Sequence, residues 1–146
     1  MYIFDSGAIA ILLKRLKDKS IEVLGGETIL DLTRYELGNA LWKECALKKL
    51  INPEEAADRA GDMAKMLEIL NVEEIASIKD FRQVMELAVK LRLTFYDASY
   101  LYMAKSKGLT FVTEDRELYR KAGEAMLNAV IVSDFLKTSY KLGETR

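Results

Sequence analysis

Hydrophobic residues occur along this chain in two patterns, and short apolar runs make up the first. These runs are rich in branched and aromatic side chains, which is typical of strands that are buried on both faces of a sheet. The predicted strands cover residues 2–4, 28–30, 111–113 and 129–132, with a weaker fifth at 73–77.

The second pattern consists of apolar residues that recur every three or four positions, as on one face of an α-helix. It is clearest after Pro53, where Ala56, Met63 and Leu67 belong to one stripe, and a proline suits the first turn of a helix. The predicted helices cover residues 8–18, 33–50, 53–70, 79–91, 97–107 and 115–125, followed by a short or frayed helix from Ser133.

Strands therefore alternate with helices, and no two-residue hairpin signal joins two strands. This order predicts right-handed crossovers and a parallel sheet with helices on both faces. The predicted fold class is α/β, a three-layer α/β/α sandwich around a central parallel sheet of about five strands. Since the 146 residues contain no linker, repeat or low-complexity stretch, we expect a single domain over residues 1–146.

Composition narrows the chemistry that such a domain can perform. The chain contains no histidine and only one cysteine, Cys45. Ser/His/Asp and Cys/His catalytic groups, zinc fingers and internal disulfides are therefore excluded. Catalysis would have to use carboxylates, lysines, hydroxyl groups or a metal ion bound by oxygen.

Charge and hydropathy bear on partners and location. Hydrophobic residues make up 50% of the chain and charged residues 31%, and the net charge is −1. This balance argues against a domain that coats nucleic acid electrostatically, although a basic cluster at 14–19 allows local phosphate contacts. No apolar run approaches the roughly 20 residues that span a bilayer, and no signal peptide is evident. We therefore expect a cytoplasmic protein without a membrane partner.

Four carboxylates occupy similar places in the predicted fold. Asp5 follows the first strand, and Asp115 follows the strand at 111–113. Glu36 and Asp97 lie near the starts of two helices. In parallel α/β sheets, ligands bind at the carboxyl ends of the strands, near the point where the strand order reverses. The four side chains are therefore candidates for one shared site.

Each carboxylate also has a structural explanation. Thr33 with Glu36, and Thr94 with Asp97, have the spacing of a capping box, in which two side chains close the start of a helix. The other two carboxylates are placed to cap the helices that follow them. For each carboxylate taken alone, a role as a helix cap and a role in a shared site are both possible.

A shared site would need a positive charge. Carboxylates that lie within about 5 Å of one another repel and raise one another's pKa, unless a cation is bound. Mg²⁺ and Mn²⁺ favour oxygen ligands and keep several waters, one of which can become a nucleophile. With histidine absent, this is the simplest hydrolytic chemistry open to the chain.

The motifs around the four carboxylates resemble those of a known family. They are Asp-Ser at Asp5, Tyr-Glu-Leu around Glu36, Asp-Ala at Asp97 and Leu-Thr-Phe-Val-Thr-Glu-Asp at 109–115. In this order they resemble the PIN domain, the ribonuclease fold of VapC-type toxins, through almost the whole chain. The resemblance implies that Asp5, Asp97 and Asp115 hold Mg²⁺ or Mn²⁺ while Glu36 orients an attacking water.

Three further residues are candidates for supporting roles. Ser6 and Thr113 match hydroxyl positions of the family, and Asn39 lies one helical turn after the glutamate of the acidic set. Two positions depart from the family pattern. Glu114 adds a fifth carboxylate, and Gly7 is expected to loosen the turn after the first aspartate.

The resemblance also implies an activity and partners. The expected activity is endonucleolytic hydrolysis of RNA that leaves 5′-phosphate and 3′-hydroxyl ends, in a toxin silenced by a cognate antitoxin. The resemblance suggests a homodimer, for which Trp42 with Met63 and Met66 could supply an apolar contact surface.

Two other readings compete with a nuclease. The first is a PIN-like module that binds RNA or protein without cleaving, which an intact acidic set argues against. The second is a phosphotransfer domain with an aspartate after its first strand. Such domains of the haloacid-dehalogenase type need another aspartate two residues later, where this chain has Gly7.

Overall fold

The computed structural model describes the backbone of residues 1–144 and the side chains of residues 1–138. The strands are β1 (Tyr2–Phe4), β2 (Thr28–Leu30), β3 (Asn71–Glu73), β4 (Thr110–Thr113) and β5 (Ala129–Ile131). They form one parallel sheet in the spatial order β3-β2-β1-β4-β5. The predicted α/β class with a central parallel sheet is confirmed, although β3 begins earlier than the predicted 73–77.

Eight α-helices lie between and after the strands in the described part of the chain. They are α1 (Ser6–Leu16), α2 (Ser20–Leu24), α3 (Asp31–Trp42), α4 (Pro53–Leu67), α5 (Ile78–Leu91), α6 (Phe95–Lys107), α7 (Arg116–Glu124) and α8 (Val132–Glu144). The sequence pattern misses only α2, because its five residues are too few to display a helical period. Along the described residues, no helix combines the length and apolar character needed to cross a membrane.

The helix predicted over 33–50 is shorter than expected. It ends as an α-helix at Trp42, and a wide π-helical turn over Lys43–Leu47 follows. Leu47 and Leu50 continue the apolar spacing of this predicted helix, but their side chains are 63% and 71% exposed. The prediction is wrong at this end because the spacing of apolar residues does not reveal which of them the core can reach.

Alternate strand residues point to opposite faces of the sheet and build two cores. Phe4 and Val112 belong to the core that contains residues of α1, α2, α4 and α8. Ile3 and Phe111 belong to the core formed with α6 and α7. Helix α5 lies outside α6 and packs on it through a third, smaller cluster. Helices therefore cover both faces of the sheet, as the three-layer prediction requires.

The strand order reverses between β1 and β4, which are neighbours in the middle of the sheet. Phe4 pairs with Val112, and the N–H of Asp5 donates to the carbonyl oxygen of Val112 at 3.3 Å. Asp5 and Asp115 thus follow the carboxyl ends of adjacent strands at the point where α/β sheets bind ligands. The fold places the first and last carboxylates of the set after the ends of adjacent strands.

Leu12→Ala is expected to lower the free energy of unfolding by about 3 kcal/mol. Leu12 is fully buried, so the change removes buried apolar surface and leaves a cavity between α1 and the sheet. Leu50→Ala is the matched control, since it removes the same atoms from an exposed side chain and should cost less than about 0.5 kcal/mol. Urea unfolding followed by circular dichroism measures both, and equal losses would contradict this description of the core.

Candidate active site

Asp5 lies where the chain leaves β1 and enters α1. Its Oδ1 accepts a hydrogen bond from the N–H of Ala8 at 2.8 Å, so the side chain caps α1. Its Oδ2 accepts a hydrogen bond from the hydroxyl of Thr113 at 2.5 Å. The predicted cap is confirmed. A cap does not exclude a ligand role, because each carboxylate oxygen has two lone-pair positions.

Thr113 connects the first carboxylate to the last. Its side chain is fully buried at the end of β4, and its Oγ1 also accepts the N–H of Asp115 at 3.1 Å. The side chain of Asp115 caps α7, because its Oδ1 accepts the N–H groups of Glu117 and Leu118, each at 3.0 Å. One buried hydroxyl therefore fixes the spacing between two candidate site residues.

Glu36 is held by a tyrosine from another helix. The hydroxyl of Tyr100 donates to Glu36 Oε1 at 3.0 Å, and Thr33 Oγ1 lies 2.6 Å from the same hydroxyl. Since the ionised carboxylate can only accept, the Tyr100 proton points to Glu36 and the Thr33 proton points to Tyr100. This chain of hydrogen bonds fixes Glu36 on α3 against α6.

The capping box predicted for Thr33 and Glu36 is therefore wrong. Helix α3 already begins at Asp31, so Thr33 lies inside its first turn, where its side chain is fully buried. Its hydroxyl meets Tyr100 instead of a backbone N–H at the helix start. The spacing of the two residues matched the capping-box motif, but the Thr33 hydroxyl forms its hydrogen bond with Tyr100 of another helix.

Asp97 lies in the first turn of α6. Its N–H donates to Thr94 Oγ1 at 3.1 Å, so the prediction that Thr94 caps this helix is confirmed. The side chain of Asp97 is half-buried, and Tyr100 follows it one turn later on the same helix. Helix α6 thus carries both a candidate ligand and the residue that holds Glu36.

The carboxylates affect one another electrostatically. Burial raises the pKa of Asp5 to about 6, and the charges of Asp97 and Glu36 add to this rise against the opposing hydrogen bonds. Burial also raises the pKa of Asp97, and the charge of Asp115 adds to that effect. All four predicted carboxylates therefore belong to one region of negative potential, as expected for a shared site.

Two residues near this region could not be identified from the sequence pattern. Tyr100 carries no charge and reads as an ordinary core aromatic, although its position one turn after Asp97 could have drawn attention to it. Lys121 donates from Nζ to the carbonyl oxygen of Arg92 at 2.9 Å, and its charge lowers the pKa of Asp97. It lies on α7 with no local motif that would have marked it.

The remaining candidates differ in exposure and in local structure. Ser6 is half-buried directly after Asp5, whereas Asn39 is exposed on α3. Gly7 is helical within α1, so the expectation of a loosened turn is wrong. Glu114 is exposed and lines a separate cavity of about 260 Å³. The other residues that line this cavity are Ile11, Lys14, Arg15, Val132, Ser133 and Leu136.

A divalent cation fits these side chains by their chemistry. Carboxylate and hydroxyl oxygens are the donors that Mg²⁺ and Mn²⁺ prefer. The raised pKa values of Asp5 and Asp97 identify two carboxylates whose ionised forms a nearby cation would stabilise. Among the described side chains, no three acidic or cysteine residues converge tightly enough to hold an ion as they stand. Ligation of one ion would therefore require these side chains to reorient.

The fold and this acidic region define a class of protein, a three-layer α/β domain with four carboxylates near the switch point of its sheet. The chain belongs to the PIN-domain family, since the family model described as PIN domain matches residues 2–124. The resemblance noted in the sequence is thereby confirmed.

Curated relatives carry VapC names. The chain is 38% identical over 125 residues to Exonuclease VapC9 from Pyrobaculum aerophilum, across 86% of this chain and 88% of that protein. It is 34% identical over 92 residues to Ribonuclease VapC3 from the same organism, across 63% of this chain and 68% of that protein. The family is therefore supported by a relative that matches over most of its length as well as by the family model.

Solved structures agree with this assignment. The crystal structure of PAE2754 from Pyrobaculum aerophilum matches with a TM-score of 0.78 and 36% identity, and the match covers 95% of each chain. A toxin–antitoxin complex from Klebsiella pneumoniae contains a chain that matches with a TM-score of 0.58 and 18% identity, over 79% of this chain and 87% of that one. The second match supports the fold alone.

Proposed function

We propose that this chain is a single PIN-type nuclease domain that hydrolyses RNA phosphodiester bonds with the help of Mg²⁺ or Mn²⁺. The observation that carries the proposal is the placement of Asp5 and Asp115 after adjacent strands at the switch point of the sheet. Burial, together with the charges of Asp97 and Glu36, raises the pKa of Asp5 there. Curated relatives named exonuclease and ribonuclease support the same reading.

The aspartates and the glutamate have different roles in this proposal. Asp5, Asp97 and Asp115 would hold the ion, with Thr113 fixing the first of them through its hydroxyl. When bound, a hard divalent ion polarises a phosphoryl oxygen and lowers the pKa of water. Glu36 keeps Oε1 on the Tyr100 hydroxyl, so its second oxygen, Oε2, is available to orient the attacking water.

The reaction is a hydrolysis at phosphorus. Oxygen from water forms a bond to phosphorus, the bond from phosphorus to the 3′ oxygen breaks, and that oxygen takes up a proton. The products are a 5′-phosphate and a 3′-hydroxyl end. Helix α6 places Asp97 and Tyr100 one turn apart. The same helix therefore positions both the proposed metal ligand Asp97 and the hydroxyl group that holds Glu36.

The proposal extends to partners and location. We infer that the chain is the toxin of a VapBC-type pair, silenced by a small antitoxin protein, and that it acts in the cytoplasm as a homodimer without a membrane partner. The family to which the chain belongs and the VapC names of its relatives support this inference. Ser6 and Asn39 remain candidates for contacts with water or RNA beside the acidic set.

A matched pair of RNA substrates tests the activity and its mode. One labelled sequence is prepared in circular and linear form and incubated with the protein in Mn²⁺. We expect both forms to be cleaved and the products to carry 5′-phosphate and 3′-hydroxyl ends, because an endonuclease needs no free end. Cleavage of the linear form alone would identify an exonuclease. Binding of both forms without cleavage would favour the silent PIN-like module.

Tyr100→Phe is expected to reduce the rate of RNA cleavage by about 10-fold, because Glu36 loses the donor that orients its carboxylate. The ring and its stacking on Phe111 are retained. Tyr102→Phe is the control, since Tyr102 on the same helix also donates to a carboxylate, that of Asp80, outside the acidic region.

Initial rates and urea unfolding separate the two tyrosines. Tyr100→Phe leaves the buried Thr33 hydroxyl without its partner and should lose about 1–3 kcal/mol of unfolding free energy, whereas Tyr102→Phe removes a more exposed hydrogen bond and should lose less. Only Tyr100→Phe should lose activity, with kcat falling more than KM rises. Equal activity losses in the two variants would show that the Tyr100 hydroxyl has no specific role at the site.

A further inference from the structure

A cavity of about 260 Å³ lies between α1 and α8, and the proposed nuclease chemistry does not use it. We call it the α1–α8 cavity. Its floor is apolar, since Ile11 is half-buried and both Val132 and Leu136 are buried. Its polar lining consists of Lys14, Arg15, Glu114 and Ser133. An apolar floor with a few polar groups around it is the usual composition of a ligand site.

The two basic residues of the α1–α8 cavity have no carboxylate partner. Ile11, Lys14 and Arg15 are three and four residues apart, so they share one face of α1. Among the described residues neither cation forms an ion pair, although Glu114 lines the same cavity. Side chains of an α-helix lean toward its N-terminus, which here is the end that follows Asp5. Two positive charges are therefore available to an anion beside the apolar floor.

The α1–α8 cavity borders the carboxyl edge of the sheet, where the acidic region lies. Glu114 comes directly before Asp115, and Val132 follows β5, which pairs with β4. From Asp5 to Lys14 helix α1 rises roughly 14 Å. A group bound by the two cations would therefore lie near the proposed cleavage site without occupying it.

We propose that the α1–α8 cavity binds one nucleotide of the RNA strand that is cleaved, a short distance along the strand from the cleaved bond. Lys14 and Arg15 bind the phosphate of this nucleotide, and its base lies on the apolar floor. Every nucleotide of a single strand offers both groups, an anionic phosphate and a base with an apolar face. The inference rests on the proposed function and adds a binding subsite for the same substrate.

Glu114 makes the sign of the ligand's charge testable. Its carboxylate repels a phosphate but would attract a cationic segment of a protein partner. Glu114→Gln is therefore expected to lower the dissociation constant for RNA by about 2-fold to 3-fold. A higher dissociation constant for RNA in this variant would contradict the proposed placement of the phosphate.

Fluorescence anisotropy with a labelled single-stranded RNA tests the phosphate contact, in Asp97→Asn protein so that the RNA stays intact. We expect the double change Lys14→Gln and Arg15→Gln to raise the dissociation constant at least about 10-fold at about 0.1 M salt. The slope of log Kd against log salt concentration should fall by about 0.7 for each phosphate contact that is lost. Lys17→Gln is the matched control, because Lys17 is exposed nearby but does not line the cavity, and it should change Kd by less than about 2-fold.

Nuclear magnetic resonance tests the base contact in the wild-type protein. Each of the four nucleoside 5′-monophosphates is titrated into the protein, and inorganic phosphate is titrated in parallel. We expect at least one nucleotide to shift the amide resonances of Ile11 and Ser133 and to bind at least about 5-fold more tightly than phosphate, because its base stacks on the apolar floor. Equal affinities for phosphate and for all four nucleotides would remove the base from the proposal.

Failure of this inference can be told apart from failure of the proposed function. If RNA binds through Lys14 and Arg15 but the wild-type protein cleaves no RNA, the subsite is supported and the nuclease proposal is contradicted. If the wild-type protein cleaves RNA and the double variant does so with unchanged KM, the nuclease is supported and the subsite is overturned. Equal dissociation constants for the double variant and the Lys17→Gln control, or nucleotide-induced shifts confined to other parts of the protein, would also overturn the subsite.

Discussion

Asp5→Asn and Asp97→Asn are each expected to reduce RNA cleavage by about 10³-fold. Each change removes one negative charge from the acidic region and leaves the size of the side chain almost unaltered. Asparagine caps helices about as well as aspartate, so Asp5→Asn should keep the hydrogen bond from the N–H of Ala8. The loss should therefore come from chemistry and not from misfolding.

Asp134→Asn provides the control for these two variants. Asp134 is also an aspartate in the first turn of a helix, but it is exposed on α8 and outside the acidic region. We expect its initial rate of cleavage to match that of wild type. If either site variant kept more than about a tenth of wild-type activity, its carboxylate could not have the role assigned to it.

The second large effect concerns stability. In protein without bound metal at pH 7, Asp5→Asn is expected to raise the free energy of unfolding by about 1–2 kcal/mol. Burial raises the pKa of Asp5 from 3.8 to about 6, so the ionised side chain is less favourable in the folded protein than in the unfolded chain. Two pKa units correspond to about 3 kcal/mol. Part of this gain is offset because the asparagine amide nitrogen, which takes the place of Oδ2, cannot accept the hydrogen bond that the Thr113 hydroxyl donates to Asp5.

The pH dependence of this effect has a definite sign. Between about pH 4 and pH 6 the folded protein keeps the Asp5 proton while the unfolded chain releases it, so stability falls as the pH rises through this window. Asp5→Asn has no proton to lose at this position. The advantage of the variant should therefore be small near pH 4, grow up to pH 6 and then stay constant.

Urea unfolding of both proteins at pH 4.5, 5.5 and 7, in the presence of chelator, measures this difference. A constant difference at all three values would show that the Asp5 carboxyl does not titrate as its burial requires. A variant that is less stable than wild type at pH 7 would show that its hydrogen bonds outweigh the cost of burying the charge.

The sheet could be predicted because each strand is encoded by its own short run of apolar residues. The apolar runs at 2–4 and 28–30 coincide with β1 and β2, since residues buried on both faces must be apolar at consecutive positions. The parallel arrangement followed from the helices between them. Asp5 and Asp115 could be placed at one edge because parallel strands end on the same side.

The hydrogen bonds within the site could not be predicted from the spacing of residues along the chain. Thr33 and Glu36 fit a capping box, but the residue that holds both is Tyr100, which lies 67 and 64 positions away in the chain. A threonine in a first turn can bond to its own backbone or to another helix, and the position of Tyr100 on α6 decides between these outcomes. Local patterns contain no information about that position.

Helix α5 illustrates the same limit. The apolar residues of α5 look like one broad amphipathic face in the sequence, and only the packed structure separates the buried stripe with Val84 from the exposed stripe with Met85. Burial is a property of the assembled domain.

The central claim is that the four carboxylates serve one metal-dependent nuclease site, and reversible chelation tests it most directly. The wild-type protein is incubated with labelled RNA in Mg²⁺, then with excess chelator, and then with Mn²⁺ added beyond the chelator. We predict that cleavage stops in chelator and returns with Mn²⁺ in wild type, and that it does not return in Asp97→Asn. Cleavage that continued at the same rate in chelator would contradict the claim.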